Sequence, residues 1–226
     1  MIIFPFPSYV GFAIKTKQNL GEYVLSLEEA RILSSRACKK RRDEFLLGRA
    51  ACNSALKQVG FAYPPPVLKG PLNEPLWPEG YVGSLTHTSN IAICGICPDS
   101  KAAGIGLDLE ELEGDVSPET YRLVGAGEEL QWIKANQAQG QLRFKRLFSA
   151  KEAAFKAFFP HAQEYLGFKD AALSWDCEKN GFFGTLLRPI GNTFPNGYNF
   201  EVGSLFVDSL IFSFILLPAL YRFSDI

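Results

Sequence analysis

The sequence Gly106-Leu107-Asp108-Leu109-Glu110 ends an apolar run that begins near Ala102. Such a run predicts a buried β-strand. Side chains alternate between the two faces of a strand, so Asp108 and Glu110 are expected to point the same way and to lie close together. Paired carboxylates repel one another unless a cation lies between them, and such pairs are typical of Mg²⁺ sites. The alternative is an ordinary strand end whose acids are solvated.

A second informative stretch is Phe148-Ser149-Ala150-Lys151-Glu152-Ala153-Ala154-Phe155-Lys156. Its alanine content predicts a helix, and Glu152 and Lys156, four residues apart, share one face of it. If this helix packs against the strand end, Glu152 supplies a third carboxylate and Lys156 a cation. Two alternatives remain open: Ser149 and Glu152 have the spacing of a capping box, and Glu152 and Lys156 that of an ordinary intrahelical ion pair.

A basic cluster lies in the first fifth of the chain, at Arg36, Lys39, Lys40, Arg41 and Arg42. The helix predicted over residues 43–56 places Arg42, Phe45 and Arg49 along one stripe. Two arginines on one helix face can bind separate phosphate oxygens through their planar guanidinium groups. A solvated basic face and a nucleic-acid patch are the alternatives.

Two further segments lie between this helix and the Asp108 strand. Asn73-Glu74-Pro75-Leu76-Trp77-Pro78 belongs to a proline-rich loop, and Gly83-Ser84-Leu85-Thr86-His87 predicts a strand that runs into a polar turn. His87 is one of only two histidines. A lone histidine is more often a structural residue than a ligand, so composition alone gives it no role.

Taken together, these segments resemble the 4′-phosphopantetheinyl transferases, in particular the enterobactin-synthase-component-D and surfactin-type branch. The Gly-Leu-Asp-Leu-Glu and Phe-Ser-Ala-Lys-Glu-x-x-x-Lys stretches look like the signature pair of this family. The basic helix, the Trp-Pro loop and the Thr-His turn follow in the family's order, so the resemblance covers most of the chain. Asn73 is a departure, because an arginine is common at this place in the family.

The residue pattern predicts an α+β fold, with helices followed by strands in each half of the chain. The resemblance implies two similar α+β subdomains that form a pseudo-dimer with the active site between them. We expect an N-terminal subdomain over residues 1–105 on the side of the coenzyme A 3′-phosphate and adenine, and a C-terminal subdomain over residues 106–226 with the metal and catalytic motifs. The elements predicted from pattern include helices over 30–37 and 128–139 and strands over 91–97, 166–175, 181–187, 198–207 and 210–217.

The resemblance also implies a reaction. The 4′-phosphopantetheine group of coenzyme A would pass to a serine of an apo acyl or peptidyl carrier protein, releasing 3′,5′-adenosine bisphosphate. Mg²⁺ is expected at Asp108, Glu110 and Glu152. Glu152, which is also the candidate base, and Lys156 are expected to be catalytic. The residues expected to contact coenzyme A are Arg42, Arg49, Thr86, His87 and Lys156.

The same resemblance bears on partners and pathway. The carrier would serve fatty-acid, polyketide, siderophore or other peptide synthesis, and the segment Gly114–Gly140 is its expected docking place on family analogy alone. A monomer is expected from the pseudo-dimer plan. The alternative function is a non-catalytic module that binds coenzyme A or another nucleotide.

Composition limits the other function classes. The formal net charge is −1, so a bound polyanion must meet a local basic patch, and a general nucleic-acid binder is not expected. The apolar residues 1–7 lack the basic start of a signal peptide, and the run 210–217 is too short to span a bilayer. Five cysteines without framework spacing favour a reducing compartment. We therefore expect a cytoplasmic protein that binds no membrane.

The spacing of Cys94 and Cys97 requires separate attention, because Cys-x-x-Cys can indicate redox chemistry or half of a zinc site. The two residues lie within a predicted strand, where positions three apart face opposite sides. The chain has no second Cys-x-x-Cys. Buried structural thiols are therefore the prediction.

Overall fold

The computed structural model describes residues 6–220, and the chain divides into two units. One unit comprises the residues up to Ile105 together with those from Pro218 onward, and the other comprises Gly106–Leu217. The roles expected for residues 1–105 and 106–226 stay predictions. Residues 1–5 of the apolar N-terminal stretch and residues 221–226 lie outside the described residues.

The first unit contains two helices and two small sheets. Its elements are strand β1 (Gly11–Thr16), helices α1 (Leu27–Ile32) and α2 (Lys39–Gln58), and strands β2 (Leu68–Lys69), β3 (Pro75–Leu76), β4 (Tyr81–His87) and β5 (Ile91–Pro98). Strands β1, β5 and β4 form an antiparallel sheet in that order, and β2 pairs with β3. A short 3-10 helix (Lys17–Asn19) follows β1.

The core of the first unit forms where α2 packs against the sheet. The helix contributes small and aliphatic side chains such as Leu47, Ala51 and Leu56, and β5 contributes Cys94 and Ile96. All five are almost completely buried. Because the apolar residues of α2 recur along one face, the helix is fixed on the sheet by burial of that face. This packing determines which residues of α2 and β4 remain available for a site.

The second unit combines a long helix with a five-stranded sheet. Strand β6 (Ala102–Glu111) enters this unit at Gly106. The elements that follow are helices α3 (Tyr121–Val124), α4 (Gly127–Lys134) and α5 (Gly140–Ala162), and strands β7 (Ala171–Asp176), β8 (Gly181–Leu186), β9 (Asn199–Val207) and β10 (Leu210–Pro218). The strand order is β6-β10-β9-β8-β7, and β7 to β10 pair antiparallel. Two 3-10 helices (Pro118–Thr120 and Gln137–Gln139) flank α3 and α4.

The C-terminal half of α5 is held by an aromatic cluster. The ring of Phe158 meets those of Phe194, Tyr198 and Phe200 edge to face, at centroid distances of 5.0, 6.2 and 5.1 Å. Edge-to-face pairs add specific geometry to the burial of a large apolar area. The α+β class predicted from the sequence is confirmed, and both units pack helices on antiparallel strands.

Several predicted boundaries were wrong. Helix α1 begins before residue 30 and ends at Ile32, and α2 is longer at both ends than the predicted 43–56. The helix predicted over 128–139 stops at Lys134, because Asn136 takes an extended conformation and its side chain caps the following 3-10 helix. The strand predicted from residue 166 starts at Ala171, since residues 167–170 form a turn.

Two sequence predictions concern cysteines and membranes. Cys94 and Cys97 are buried free thiols on β5, as predicted, whereas Cys38 and Cys177 are exposed. Within residues 6–220, no helix has the length and apolar character needed to cross a bilayer.

Candidate functional site

Strand β6 of the second unit carries the two carboxylates predicted to share a face. The side chain of Asp108 is 7% exposed, and Glu110 is partly buried. Leu107 and Leu109, which alternate with them, are buried on the other side of the strand. The placement follows from the period of two that the sequence displays.

Helix α5 reaches this strand through a glycine. A Cβ atom at Gly106 would lie 1.8 Å from the carbonyl oxygen of Ala153, so only glycine allows the strand and the helix to come this close. Ala153 directly follows Glu152 and lies three residues before Lys156. The contact therefore explains how the motif on the helix meets the motif on the strand.

Lys156 makes the central ion pair of the site. Its Nζ lies 2.7 Å from Asp108 Oδ1 and 3.1 Å from the carbonyl oxygen of Leu107, to which it donates. The sequence left open an ordinary intrahelical ion pair between Lys156 and Glu152. That alternative is wrong for the described residues, because Lys156 pairs with Asp108 on β6. The capping-box alternative is also wrong, because Ser149 lies in the middle of α5.

Three carboxylates influence one another at this place. The pKa of Glu110 is raised to about 7, first by burial and next by the carboxylate of Asp108, against the opposing effect of Lys156. Burial is also the main reason why the pKa of Glu152 is raised, with Lys156 opposing and Asp108 adding to the rise. The single ammonium of Lys156 therefore does not balance the negative charge that full ionisation would create.

The donor set can be tested for its fit to a cation. Asp108 Oδ2 is buried and has no hydrogen-bond partner, which is costly for a charged oxygen and leaves one acceptor available. Carboxylate oxygens are the ligands that Mg²⁺ prefers. Within residues 6–220, no three His, Cys, Asp or Glu side chains are grouped closely enough to hold a metal by themselves. Asp108 and Glu110 therefore fit a cation that completes its coordination with other oxygens, and the assignment of Glu152 as third ligand stays a prediction.

A buried ion pair supports α5 next to this site. Lys151, which has no exposed surface, lies 2.8 Å from Glu129 Oε1 and donates to the carbonyl oxygens of Phe168 and Ala171. Glu129 in turn accepts from the backbone N–H of Leu173 at 2.8 Å. Because β7 is an edge strand, this pair satisfies backbone groups that lack a neighbouring strand.

The first unit contains a separate basic cavity of about 250 Å³. Arg49 of α2 is only 4% exposed, and its guanidinium carbon lies 4.4 Å from the ring centroid of Phe45. Glu29 Oε1 is 4.0 Å from Arg49 Nε. The cavity is lined by Arg41, Glu44, Phe45, Gly48, Arg49, Lys69, Asn73, Pro75, Leu85 and His87. It thus combines three basic side chains, a histidine and one acid.

The structure separates the predicted residues of this region. Arg49 and His87 line the cavity, whereas Arg42 is exposed, donates to the carbonyl oxygen of Ser35 and is not among the lining residues. Thr86 is buried on the face of β4 opposite to His87. The roles of Arg42 and Thr86 stay predictions.

Two basic residues of the cavity were not predicted. Arg41 belongs to the basic cluster, but the stripe argument selected its neighbour Arg42. Lys69 lies on the two-residue strand β2, where no pattern distinguished it. The pKa of Lys69 is lowered by burial and then by Arg41 and Arg49, which indicates a concentration of positive charge.

Asn73 has a structural explanation in this cavity. Its φ is 67°, a left-handed conformation in which asparagine is enriched over most other residues. It lies in the turn between β2 and β3, where Gly70 N–H donates to the carbonyl oxygen of Glu74. The conformation of the turn therefore favours asparagine over most other residue types at this position.

Family models match both parts of the chain. The model for the 4'-phosphopantetheinyl transferase N-terminal domain matches residues 27–97, and the model for the 4'-phosphopantetheinyl transferase superfamily matches residues 104–205. All the residues that line the basic cavity fall in the first range, and the carboxylates with Lys156 fall in the second.

Individual relatives agree with these matches. The 4'-phosphopantetheinyl transferase PptT of Mycobacterium tuberculosis is 34% identical over 165 residues, covering 73% of this chain and 71% of the relative. Npt of Nocardia iowensis, also a 4'-phosphopantetheinyl transferase, is 31% identical over 173 residues, covering 73% and 76%. Enterobactin synthase component D of Escherichia coli (strain K12) is 32% identical over 146 residues, covering 62% and 65%.

One solved structure with a partial likeness is the holo-[acyl-carrier-protein] synthase of Thermotoga maritima. It has a TM-score of 0.42 and 18% identity, and the match covers 53% of this chain and 65% of that one.

Proposed function

The chain belongs to the 4'-phosphopantetheinyl transferase superfamily, and we propose that it transfers the 4′-phosphopantetheine group of coenzyme A to a serine of an apo carrier protein with the help of Mg²⁺. The second product is 3′,5′-adenosine bisphosphate. The observation that carries this proposal is the Lys156–Asp108 pair at 2.7 Å, next to Glu110 and Glu152. A cation and three acids concentrated at one strand end suit phosphoryl transfer.

Asp108 and Glu110 would hold the metal ion, with Glu152 as the third candidate. When bound, Mg²⁺ supplies a positive charge that polarises phosphate oxygens and neutralises the charge that develops as the phosphoanhydride breaks. The unpartnered Asp108 Oδ2 and the repulsion between Asp108 and Glu110 support this assignment.

Lys156 would act on the diphosphate of coenzyme A as a second positive charge. Its side chain is 31% exposed, so it can reach a ligand while it stays paired with Asp108. In the reaction, the serine oxygen forms a bond to the β-phosphorus, and the bond between that phosphorus and the oxygen shared with the α-phosphate breaks. Lys156 stabilises the negative charge on the leaving phosphate.

Glu152 is the candidate base for the serine proton. It lies on the same face of α5 as Lys156, one turn earlier, and its carboxylate is only partly buried, so that it can accept a proton directly or through a water molecule. Glu152 is thus proposed both as a base and as a metal ligand. The two roles predict different effects of substituting Glu152. Loss of a base lowers kcat, whereas loss of a ligand also raises the Mg²⁺ requirement.

The basic cavity of the first unit would bind the 3′-phosphate of coenzyme A. Arg49 offers a planar group suited to a phosphate, and its burial beside Phe45 restricts its movement. His87, Arg41 and Lys69 add donors and positive charge. Arg42 and Thr86 are retained as further contacts in this proposal.

The carrier and the setting complete the proposal. We propose an acyl or peptidyl carrier protein as partner, with siderophore synthesis as one pathway that the likeness to enterobactin synthase component D suggests. We propose the segment 114–140 as the docking place of the carrier. We also propose that the protein is a cytoplasmic monomer that binds neither nucleic acid nor membrane.

The test is intact-mass spectrometry of apo carrier proteins incubated with this protein and coenzyme A. Acyl carriers of fatty-acid synthesis and peptidyl carriers of siderophore synthesis are compared, with Mg²⁺ or with EDTA. A gain of one phosphopantetheine mass that EDTA abolishes supports the proposal, and the best carrier identifies the pathway class. A gain of mass that survives EDTA contradicts the metal assignment. Binding of coenzyme A without transfer to any carrier contradicts the catalytic proposal.

A further inference from the structure

The ammonium group of Lys145 contacts four consecutive backbone carbonyl groups, at the last residue of β6 and in the loop that follows it. Its Nζ donates to the carbonyl oxygens of residues 111, 112, 113 and 114, at 3.0, 2.8, 2.5 and 2.8 Å. The side chain is 6% exposed. Since an ammonium group has three N–H bonds, four acceptors saturate it and at least two of them share a proton.

No ion pair accounts for this buried cation. In the part of the chain that the structure describes, Lys145 has no carboxylate within ion-pair distance, so its close contacts are with carbonyl dipoles. A buried ammonium is costly unless its donors are satisfied. Here satisfaction requires the loop to keep one conformation, because all four carbonyl groups must point at one atom.

The position of Lys145 connects this loop to the proposed active site. Lys145 precedes Glu152 by seven residues and Lys156 by eleven, so the three side chains lie along one face of α5. The first of the four carbonyl groups belongs to the residue that directly follows Glu110. One helix face therefore holds strand β6 twice, through Lys156 at Asp108 and through Lys145 just beyond Glu110.

Two further contacts hold the same loop. The backbone N–H of Leu112 donates to the carbonyl oxygen of Ser209 at 2.9 Å, and Gln141 Nε2 donates to the carbonyl oxygen of Gly114 at 2.7 Å. Neither involves a charge. Lys145 is thus the charged element of the arrangement, and its charge lies close enough to Glu110 to act on it electrostatically.

We propose that Lys145 is a positioning residue for the phosphopantetheinyl transfer proposed above. By holding residues 111–114 it fixes the end of β6 and thereby the place of the Glu110 carboxylate relative to Glu152. It touches no reacting group itself. The inference rests on the proposed function for its catalytic part, whereas the restraint on the strand end is a property of the protein alone.

The first test measures the restraint without substrate or metal. Hydrogen–deuterium exchange is followed by mass spectrometry in a peptide that covers residues 107–114, for the wild type, Lys145→Met and Lys57→Met. Lys57 is an exposed lysine in the last turn of α2, so its variant controls for the loss of a positive charge. We expect exchange to be about tenfold faster or more in Lys145→Met only, because the loop opens locally. Equal exchange in all three proteins overturns the proposal.

The second test separates positioning from stability. At a temperature where circular dichroism shows each variant to be folded, we expect kcat of Lys145→Met to fall about tenfold or more while KM for coenzyme A changes little. Lys57→Met should match the wild type. Unchanged kcat together with faster exchange means that Lys145 only stabilises the fold, which overturns the positioning role.

A folding defect in Lys145→Met would not remove the test. Lys145→Gln keeps two N–H donors on a shorter side chain. Hydrogen–deuterium exchange and kcat of this variant then test the positioning role in the same way. A wild-type protein that transfers nothing to any carrier overturns the proposed function and with it the catalytic part of this inference. The exchange measurement is independent of that result, so the two failures are distinguishable.

Discussion

Gly106 of β6 lies directly against the backbone of Ala153 in α5, where a Cβ on residue 106 would fall 1.8 Å from the Ala153 carbonyl oxygen. The Cγ2 of Ile215 on β10 would be 2.9 Å from the same Cβ. The carbonyl oxygen of Ala153 belongs to the backbone, so it cannot move without shifting the helix. The glycine that opens the Gly-Leu-Asp-Leu-Glu motif thus sets the distance between the strand and the helix that carry the candidate active site.

Gly106→Ala should therefore damage both stability and activity. Overpacking a close contact between backbones typically costs about 1–3 kcal/mol, and here the helix must shift by enough to separate Lys156 from Asp108. We expect a lower melting temperature and a loss of kcat in the fraction that stays folded. Thermal unfolding and the carrier mass assay measure the two effects.

Gly167→Ala is the matched control for this substitution. A Cβ at Gly167 would meet only Asp170 atoms at 3.6 Å or more, which is ordinary contact. Its melting temperature and kcat should stay close to those of the wild type. If Gly106→Ala behaves like this control, the close contact does not set the geometry of the site.

Asp108→Asn should lower kcat by at least about 100-fold, because it removes the charge that Mg²⁺ and Lys156 share while the side chain keeps its shape. The fold should persist, since asparagine keeps the shape of Asp108 and the apolar residues 102–107 and Leu109 of the strand are unchanged. Steady-state kinetics over a Mg²⁺ titration, with circular dichroism as a check of folding, measures this. Near wild-type kcat at saturating Mg²⁺ would exclude Asp108 from the metal site.

Glu111→Gln is the control for the loss of a carboxylate. Glu111 is the last residue of β6, is exposed and alternates with Glu110, so its side chain points to the other face. The substitution leaves its backbone carbonyl available to Lys145. We expect unchanged kinetics.

Arg49→Gln should weaken recognition of the 3′-phosphate specifically. The charge-assisted bonds of a guanidinium group are worth about 1.5–3 kcal/mol, so KM for coenzyme A should rise about tenfold or more with a smaller change in kcat. For 3′-dephospho-coenzyme A, which lacks the phosphate, wild type and variant should behave alike. An equal rise of KM for both substrates would place Arg49 elsewhere in the site.

Arg42→Gln is the variant to compare with Arg49→Gln. Arg42 is exposed and bonds to the carbonyl oxygen of Ser35, so the structure favours a smaller effect than at Arg49. A comparable loss of the preference for coenzyme A over its 3′-dephospho form would support the role that the sequence predicted for Arg42. Melting temperatures are needed for both variants, because Arg49→Gln leaves Glu29 without the cation 4.0 Å away.

The sequence contained the site's two motifs but not their connection. The period of two put Asp108 and Glu110 on one face, and the family resemblance drawn from these motifs is confirmed by the family models and relatives. Spacing alone, however, favoured a pair between Glu152 and Lys156 as much as one across to β6. Which carboxylate Lys156 meets depends on the approach of α5 at Gly106, and that is a tertiary contact.

Other residues were not predicted from the sequence for similar reasons. Lys145 binds carbonyl groups, which no side-chain pattern records, and Lys69 joins the basic cavity through a two-residue strand. The helix over 128–139 was predicted from composition, but the helix ends earlier because Asn136 caps the 3-10 helix that follows. Period and motif thus predicted the elements and their charged residues, whereas caps, turns and contacts distant in sequence determined where the elements end and meet.

The buried pair of Lys151 and Glu129 gives a prediction about stability. Breaking such a pair leaves one buried charge uncompensated, so Lys151→Met and Glu129→Gln should each cost about 3–5 kcal/mol of unfolding free energy. The double variant should cost less than the sum, because the second change removes the charge that the first leaves behind. Chemical denaturation of the four proteins measures the coupling, and strict additivity would contradict it. Lys179 and Glu201, paired at 2.6 Å but mostly exposed, provide the control cycle, in which we expect little change in melting temperature because solvent screens the pair.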